Sequence, residues 1–153
     1  MELLYQYLWK QRMMGRKCLT VRGDDVEIIY AGIHNRDAGP DFLNARLRIN
    51  GREWIGNVEI HVKASDWRRH GHDADPAYGN VILHVVGVDD MRVSRDDGSE
   101  IPQTVVTFPE SFYRMYEALS HRISNVSCEP YIRQLPGLSV ADWLSSLCVE
   151  RMQ

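Results

Sequence analysis

The sequence predicts an α+β domain in which one mixed β-sheet is flanked by helices. Several β-rich runs of strand length alternate with polar, glycine-containing segments. Apolar residues recur at three- and four-residue spacing near both ends of the chain, which is typical of amphipathic helices. The dipeptide Asn50-Gly51 separates two of the β-rich runs and is a strong hairpin signal. Elements of this kind pack as layers around one core.

The first half of the chain is expected to contain one helix and three strands. The helix spans residues 2–14, where an apolar stripe ends at Gly15. A polar, glycine-rich loop occupies residues 31–41. The strands, the last two of which form the hairpin, are Val26–Tyr30, Phe42–Ile49 and Arg52–Lys63.

The second half is expected to alternate between helices and strands. Ser65 begins a short helix that continues to Arg69. The almost wholly apolar run Val81–Val88 is typical of a strand that is buried on both faces. The turn over residues 96–98 predicts a second hairpin that leads into Ile101–Phe108, and a helix follows from Pro109 with an apolar stripe over residues 112–123.

We interpret residues 1–126 as a single α+β domain and residues 127–153 as a linker with the start of a C-terminal helical region. Ser139 and Asp142 form a capping-box-like start to the last helix. The apolar stripe of this helix continues to Gln153 without a C-cap signal, so the chain looks truncated. We therefore expect the last helix to pack on missing sequence or on another copy.

Composition limits the class of protein. The 153 residues are 44% hydrophobic and 25% charged, as in ordinary globular domains. The net charge of −3 lacks the basic excess that is typical of nucleic-acid binders. No apolar run has membrane-spanning length, and the three cysteines are far apart, so we expect a cytoplasmic protein without a membrane partner.

Candidate chemistry is concentrated in the middle of the chain. Five of the six histidines lie in one window together with several aspartates and glutamates, and neutral imidazole and carboxylate are common metal ligands. The alternative is a network of histidines that only organises polar loops. The five histidines are His34, His61, His70, His72 and His84.

A sharper pattern links Asp41 to Glu59, which follows 18 residues later. Because side chains alternate along a strand, Glu59, His61 and Lys63 share one face. A carboxylate beside a second polar group of this kind can hold a divalent cation and orient a water.

The hairpin register decides whether the two carboxylates meet. An unbroken two-residue hairpin places Asp41 opposite Ile60 and therefore on the other face from Glu59. One bulge residue moves Asp41 onto the face of Glu59. We predict such a bulge, or a strong distortion, at Gly56-Asn57.

The Pro40-Asp41 and Glu59-x-His61 pattern resembles the PD-(D/E)xK nuclease superfamily, whose core order is helix-strand-strand-strand-helix-strand. The resemblance implies a divalent-metal-dependent phosphodiesterase that acts on DNA or RNA, with Mg²⁺ or Mn²⁺ as the cofactor and Zn²⁺ as a further option. Asp41 and Glu59 would bind the metal. His61 occupies the position of the superfamily's lysine and would bind the metal, or would orient or deprotonate the attacking water with help from Lys63.

A closer resemblance covers about a third of the chain. The blocks HNRDAGPDF, WIGNVEIHV, SDW-x-x-HGH and YGNVILHVV, between Gly32 and Val86, are similar to an uncharacterised bacterial family that is defined only as a domain of unknown function, number 2851. This family implies no activity. The alternative to a nuclease therefore stays open: a non-catalytic interaction or structural module, whose histidines form a polar network or a structural metal site. A metal-dependent hydrolase of another substrate is a third option.

Two of the remaining histidine segments allow a metal-binding interpretation. His34, in the loop before Asp41, is a metal candidate, although turn formation explains its loop equally well. His70 and His72 resemble a metal-binding loop, or they brace the short helix. We expect His84 to be a hydrogen-bonded core histidine.

Basic and aromatic side chains offer candidate contacts to nucleic acid. Arg46 and Arg48 share a strand face, which is either a stripe for a phosphate backbone or a solvated surface. Trp54 and Trp67 are candidates for base stacking, with packing in or near the core as the alternative.

Overall fold

A computed structural model describes residues 1–95 and 97–120, together with the single positions 134, 137 and 141. The chain divides into two compact units, residues 1–107 and 108–153. The expected domain of residues 1–126 stays a prediction. The expected C-terminal helix with Ser139 and Asp142 lies outside the described residues.

The described residues of the first unit form two α-helices, one 3-10 turn and seven strands. In chain order they are α1 (Glu2–Lys10), β1 (Lys17–Leu19), β2 (Asp25–Tyr30), β3 (Ile33–His34), β4 (Phe42–Ile49), β5 (Arg52–Lys63), α2 (Asp66–Arg69), the 3-10 turn Pro76–Tyr78, β6 (Val81–Val88) and β7 (Gln103–Val105). The second unit contains α3 (Glu110–Ser120). None of the described helices has the length and apolarity needed to cross a membrane.

The strands form one mixed sheet, as predicted. Their order is β1-β2-β4-β5-β6-β7, and β3 pairs with the start of β4. The pairs β5–β6 and β6–β7 are parallel, whereas the other pairs are antiparallel. The two edges of the sheet approach each other, and two hydrogen bonds join them. The amide of Val21 donates to the carbonyl of Gln103 at 2.8 Å. The hydroxyl of Thr104 donates to the carbonyl of Leu19 at 2.8 Å. The sheet is therefore nearly closed, like a barrel.

Local sequence signals determined the central strands. The strands β4, β5 and β6 have the predicted bounds. The hairpin turn has positive φ at both central residues, 47° at Asn50 and 79° at Gly51, as a type I′ turn requires. All residues of β6 from Val81 to Val86 are buried, which confirms the prediction of a strand covered on both faces.

Two predicted elements differ from the structure. The first helix ends at Lys10 and not at residue 14, since Arg12 adopts a left-handed φ of 54° that stops the helix. The turn after residue 95 makes only an isolated antiparallel bridge, Ser94 with Glu100, and β7 pairs in parallel with β6. The expected hairpin strand Ile101–Phe108 was therefore too long.

A bulge interrupts the ladder between β4 and β5. Phe42 pairs with Val58 and Ala45 pairs with Gly56, so two residues of β4 lie opposite the single residue Asn57. The distortion is where we predicted it, but the extra residue is on β4 and not at Gly56. Asn44, inside the bulge, has a φ of 54°, a conformation that asparagine tolerates better than most residues.

Gly56 has a different role from the predicted one. A Cβ at this position would lie 2.4 Å from Cγ2 of Ile82 and 2.7 Å from the carbonyl oxygen of Asn80. The absence of a side chain thus lets β6 approach β5 closely.

Candidate functional site

The bulge places Asp41 beside Glu59. Phe42 pairs with Val58 in antiparallel strands, so the residue before Phe42 lies opposite the residue after Val58. The amide of Asp41 donates to Oε2 of Glu59 at 3.0 Å, and the amide of Ile60 donates to Oδ2 of Asp41 at 3.0 Å. Helix α1 adds a third contact, in which Nε2 of Gln6 donates to Oδ1 of Asp41 at 2.7 Å. The two carboxylates predicted from the sequence therefore meet.

The environment of Asp41 favours its neutral form. Burial raises the pKa of this carboxyl, and the nearby charge of Glu59 raises it further, to about 7. The hydrogen bonds from Ile60 and Gln6 act in the opposite direction and lower the pKa. Asp41 is therefore a carboxyl group that can exchange a proton near neutral pH.

Two histidines lie against the other oxygen of Glu59, and a third lies against one of those histidines. Nε2 of His61 lies 3.4 Å from Oε1 of Glu59, and Nε2 of His72 lies 3.3 Å from the same oxygen. Nε2 of His61 is also 3.2 Å from Nδ1 of His70. The three imidazoles can each present a ring nitrogen within 4.8 Å of the others.

These separations suit a metal ion. Zinc binds nitrogen and oxygen ligands at about 2.0–2.1 Å, so the ligand atoms of a tetrahedral site are roughly 3.3 Å apart. The separations of 3.3 and 3.4 Å from Glu59 to His72 and His61, and of 3.2 Å from His61 to His70, match those edges. Glu59 and His61 are buried with 4% and 1% exposure, whereas His70 is exposed and places one side of the cluster at the solvent boundary.

A buried hydrogen-bond relay fixes His61 from behind. Nδ1 of His61 lies 2.9 Å from Nε2 of His84, and Nδ1 of His84 lies 3.0 Å from Oε1 of Gln103. The amide nitrogen of Gln103 in turn donates to Oδ1 of Asp89 and to the carbonyl of Met91. His84 is fully buried and hydrogen-bonded on both sides, as predicted for a core histidine.

Both imidazoles of this relay are neutral near pH 7. The pKa of His61 is lowered to about 2, mainly by burial and secondly by the neighbouring His84. The pKa of His84 falls to about 4, mainly through burial, although its hydrogen bond with Gln103 raises it. A neutral imidazole keeps one lone pair, which is the form that binds metals.

Aromatic rings form the wall behind the histidines. The ring of Tyr78 stacks on His72 with centroids 3.7 Å apart, and Trp67 lies edge-on to His61, His72 and His84. Burial raises the pKa of Tyr78 to about 12, and the charge of Glu59 raises it as well. Nε2 of His72 is buried and makes no hydrogen bond, despite lying 3.3 Å from Glu59, so the contact has poor hydrogen-bond geometry.

The family follows from a comparison with family models. The model described as "Protein of unknown function (DUF2851)" matches residues 2–153. The chain belongs to this family. The resemblance of the sequence blocks is thereby confirmed, and the match extends over nearly the whole chain. Searches of curated proteins and of solved structures found no match for this DUF2851 chain.

Two predicted site residues of the DUF2851 chain, His34 and Lys63, take no part in the recorded contacts among Asp41, Glu59 and the clustered histidines. His34 stacks on the buried ring of Phe42, with centroids 5.0 Å apart. Lys63 is exposed, and it lies near the surface carboxyl of Asp90, whose pKa is lowered mainly by hydrogen bonds from Ser65 and to a smaller extent by the charge of Lys63. The structure thus brings together Asp41, Glu59, His61, His70 and His72.

The predicted nucleic-acid contacts have other partners. Arg46 pairs with Glu53 at 3.2 Å and Arg48 pairs with Glu27 at 2.5 Å, so acidic neighbours compensate both charges of the stripe. Trp67 is packed with 2% exposure and serves as core.

Sequence reasoning missed several polar residues of the DUF2851 site. Gln6 is on the buried face of a helix, and Gln103 is buried in a strand. A polar residue within an apolar stripe was the available signal, but which partner it meets depends on how the sheet curls.

Proposed function

We propose that this domain is a divalent-metal-dependent hydrolase and that its substrates are the phosphodiesters of nucleic acid. One observation carries the proposal: ring nitrogens of His61, His70 and His72 lie within 4.8 Å of one another, and Oε1 of Glu59 lies within 3.4 Å of two of these rings. A solely structural polar network would pair donors with acceptors. Here Nε2 of His72 remains without a hydrogen bond, which a metal ion would relieve.

The ligand set favours particular ions. Imidazole nitrogens bind Zn²⁺ well, and Mn²⁺ accepts mixed nitrogen and oxygen ligands, whereas Mg²⁺ prefers oxygen. An ion that these four groups hold in a five-coordinate geometry would keep a position for a water, would lower the pKa of that water and would neutralise charge on the phosphate. We therefore rank Zn²⁺ and Mn²⁺ above Mg²⁺ for this site.

We assign Asp41 a role in proton transfer. Its carboxyl has a pKa of about 7 and lies beside the ligand Glu59. Near neutral pH a substantial fraction is ionised and can accept a proton from an attacking water. Glu59 and His61 keep the metal-binding role expected from the sequence, and the exposed Lys63 has no role in this scheme.

Topology and charge support a nucleic-acid substrate. Helix α1 precedes the antiparallel strands β2, β4 and β5, and the short helix α2 leads to β6, which runs parallel to β5. This sequence of elements is compatible with the nuclease core order, although β1, β3 and β7 are additional. Arg68 is exposed on α2, beside the histidine loop, where it can contact phosphates, whereas Arg69 pairs with Asp66 at 3.0 Å.

A structural metal site is the second candidate. The observation that favours it is the near-complete burial of Glu59 and His61, because a fully enclosed ion has no open position for substrate. The exposed His70 favours the catalytic candidate over the structural one, since this proposed ligand lies at the solvent boundary, where a substrate has access.

The test is calorimetric titration of the chain with Zn²⁺, Mn²⁺ and Mg²⁺, followed by a nuclease screen with the bound ion. We expect binding and cleavage in the wild type, and loss of both in Glu59→Gln. Glu53→Gln is the matched control, because Glu53 is an exposed glutamate of the same strand. Metal binding without cleavage of DNA or RNA would support the structural candidate. No metal binding would overturn both.

A further inference from the structure

The hydrogen-bond relay behind His61 runs through His84 and Gln103 to Asp89, and its donors and acceptors have a fixed order. We infer that Gln103, anchored by Asp89, is a positioning residue that acts through His84 to hold His61 with its proton on Nδ1 and its lone pair on Nε2. This inference rests on the metal site proposed above and extends it to three residues that do not touch the metal.

The direction starts at the Gln103 amide. Its Nε2 faces two acceptors, Oδ1 of Asp89 and the carbonyl of Met91, so the nitrogen must be on that side and Oε1 must face His84. An amide oxygen only accepts. Nδ1 of His84 therefore carries a proton and donates to Gln103 across 3.0 Å.

The same logic passes to the next ring. A neutral His84 with its proton on Nδ1 has only a lone pair on Nε2. His61 lies 2.9 Å from that lone pair through its own Nδ1, so it must donate from Nδ1. The remaining nitrogen, Nε2 of His61, keeps its lone pair and faces Glu59 and His70.

Without the relay, His61 would favour the other tautomer, in which Nε2 carries the proton. Nε2 lies 3.4 Å from the carboxylate oxygen Oε1 of Glu59, and a proton on Nε2 would be attracted to that oxygen. Such a proton would block the nitrogen as a metal ligand. The relay thus opposes a favourable but unproductive contact, and Gln103, which is 2% exposed, does so from within the sheet.

Nitrogen-15 NMR of the histidine rings in the metal-free 153-residue chain tests the direction. We expect both His61 and His84 to be protonated on Nδ1 in the wild type. In Gln103→Met, His84 loses its acceptor, and we expect both rings to change to the Nε2–H form. A wild-type His61 that carries its proton on Nε2 would overturn the inference. This readout needs neither metal nor activity.

Metal affinity provides the second readout. Loss of a group that orients a ligand typically weakens metal binding about 10- to 100-fold, and we expect this of Gln103→Met. The control is Thr104→Val, which removes a partly buried hydrogen bond from the next residue of β7 without touching the relay. Equal weakening in both variants would overturn the inference by showing a general packing effect.

If Gln103→Met fails to fold, the variants Asp89→Ala and Asp89→Asn test the relay at the residue that anchors Gln103. The amide oxygen introduced by Asp89→Asn would keep an acceptor for Gln103, so we expect wild-type tautomers in that variant and a mixture of tautomers in Asp89→Ala. Identical spectra in the two variants would remove Asp89 from the relay. If wild-type chain with the expected tautomers binds no metal, the proposed function fails while the relay stands.

Discussion

Asp41 and Glu59 hold each other through reciprocal contacts: the amide of Asp41 donates to the Glu59 side chain, and the Asp41 side chain accepts from the amide that follows Glu59. Each carboxylate thereby uses one oxygen to fix the backbone of the opposite strand. Oε1 of Glu59 remains directed at the histidines. The strand pairing and the candidate site are therefore parts of one arrangement.

The raised pKa of Asp41 predicts an unusual pH dependence of stability in metal-free protein. The folded-state pKa is about 7 and the ordinary value is 3.8, so the folded state binds the proton more tightly than the unfolded state. Stability from this group is complete below pH 4 and is lost as the pH rises to about 7, by up to a few kcal/mol. Urea unfolding across this range, with a chelator present, measures it.

Asp41→Asn should flatten that part of the profile, since asparagine does not titrate. A variant at an exposed aspartate, Asp37→Asn, should leave the slope as in the wild type. Parallel profiles for the wild type and Asp41→Asn would show that another group causes the slope.

Metal binding should stabilise the fold. An ion that binds only the folded state adds about 2.7 kcal/mol at a hundredfold excess over its dissociation constant. We expect Zn²⁺ to raise the melting temperature of the wild type and to have much less effect on His72→Gln, because the buried Nε2 of His72 is a proposed ligand. Differential scanning fluorimetry measures both.

The matched control for that experiment is His34→Gln, since His34 stacks on Phe42 and makes no contact with Glu59 that the described structure records. It should retain the full Zn²⁺-dependent shift. A loss of the shift as large as that of His72→Gln would place His34 in the site.

The bulge at Asn44 should tolerate glycine and reject a β-branched residue. A left-handed φ costs most L-residues about 1–2 kcal/mol and valine at least as much, whereas glycine adopts it freely. We expect Asn44→Val to lower the free energy of unfolding by about that amount, with Asn44→Gly close to the wild type. Chemical denaturation compares the two. Equal stability of Asn44→Val and Asn44→Gly would show that the bulge is not required.

Gly56→Ala should be destabilising by roughly 1–3 kcal/mol, because its Cβ would overlap Ile82 and the backbone of Asn80. The neighbouring Ile55→Ala changes a side chain that is 60% exposed and should cost much less. Unfolding measurements that rank the two variants in the opposite order would contradict the close approach of β5 and β6.

The sequence by itself determined the local elements. The apolar run of β6, the turn at Asn50-Gly51 and the alternation along β5 specify strands through short-range physics, and the structure has them at the predicted bounds. Histidine density likewise indicated the site, because His61, His70 and His72 lie close together in the chain as well as in space.

Only the tertiary structure decided which strand carries the bulge, that β7 runs parallel to β6, and that Gln103 stands behind His84. Each depends on how strands distant in the chain are placed beside one another. The left-handed conformation of Asn44 costs energy locally and is maintained by the pairing on both sides of it. The neighbours of Asn44 in sequence do not compensate that energetic cost, so the conformation is decided only when β4 pairs with β5.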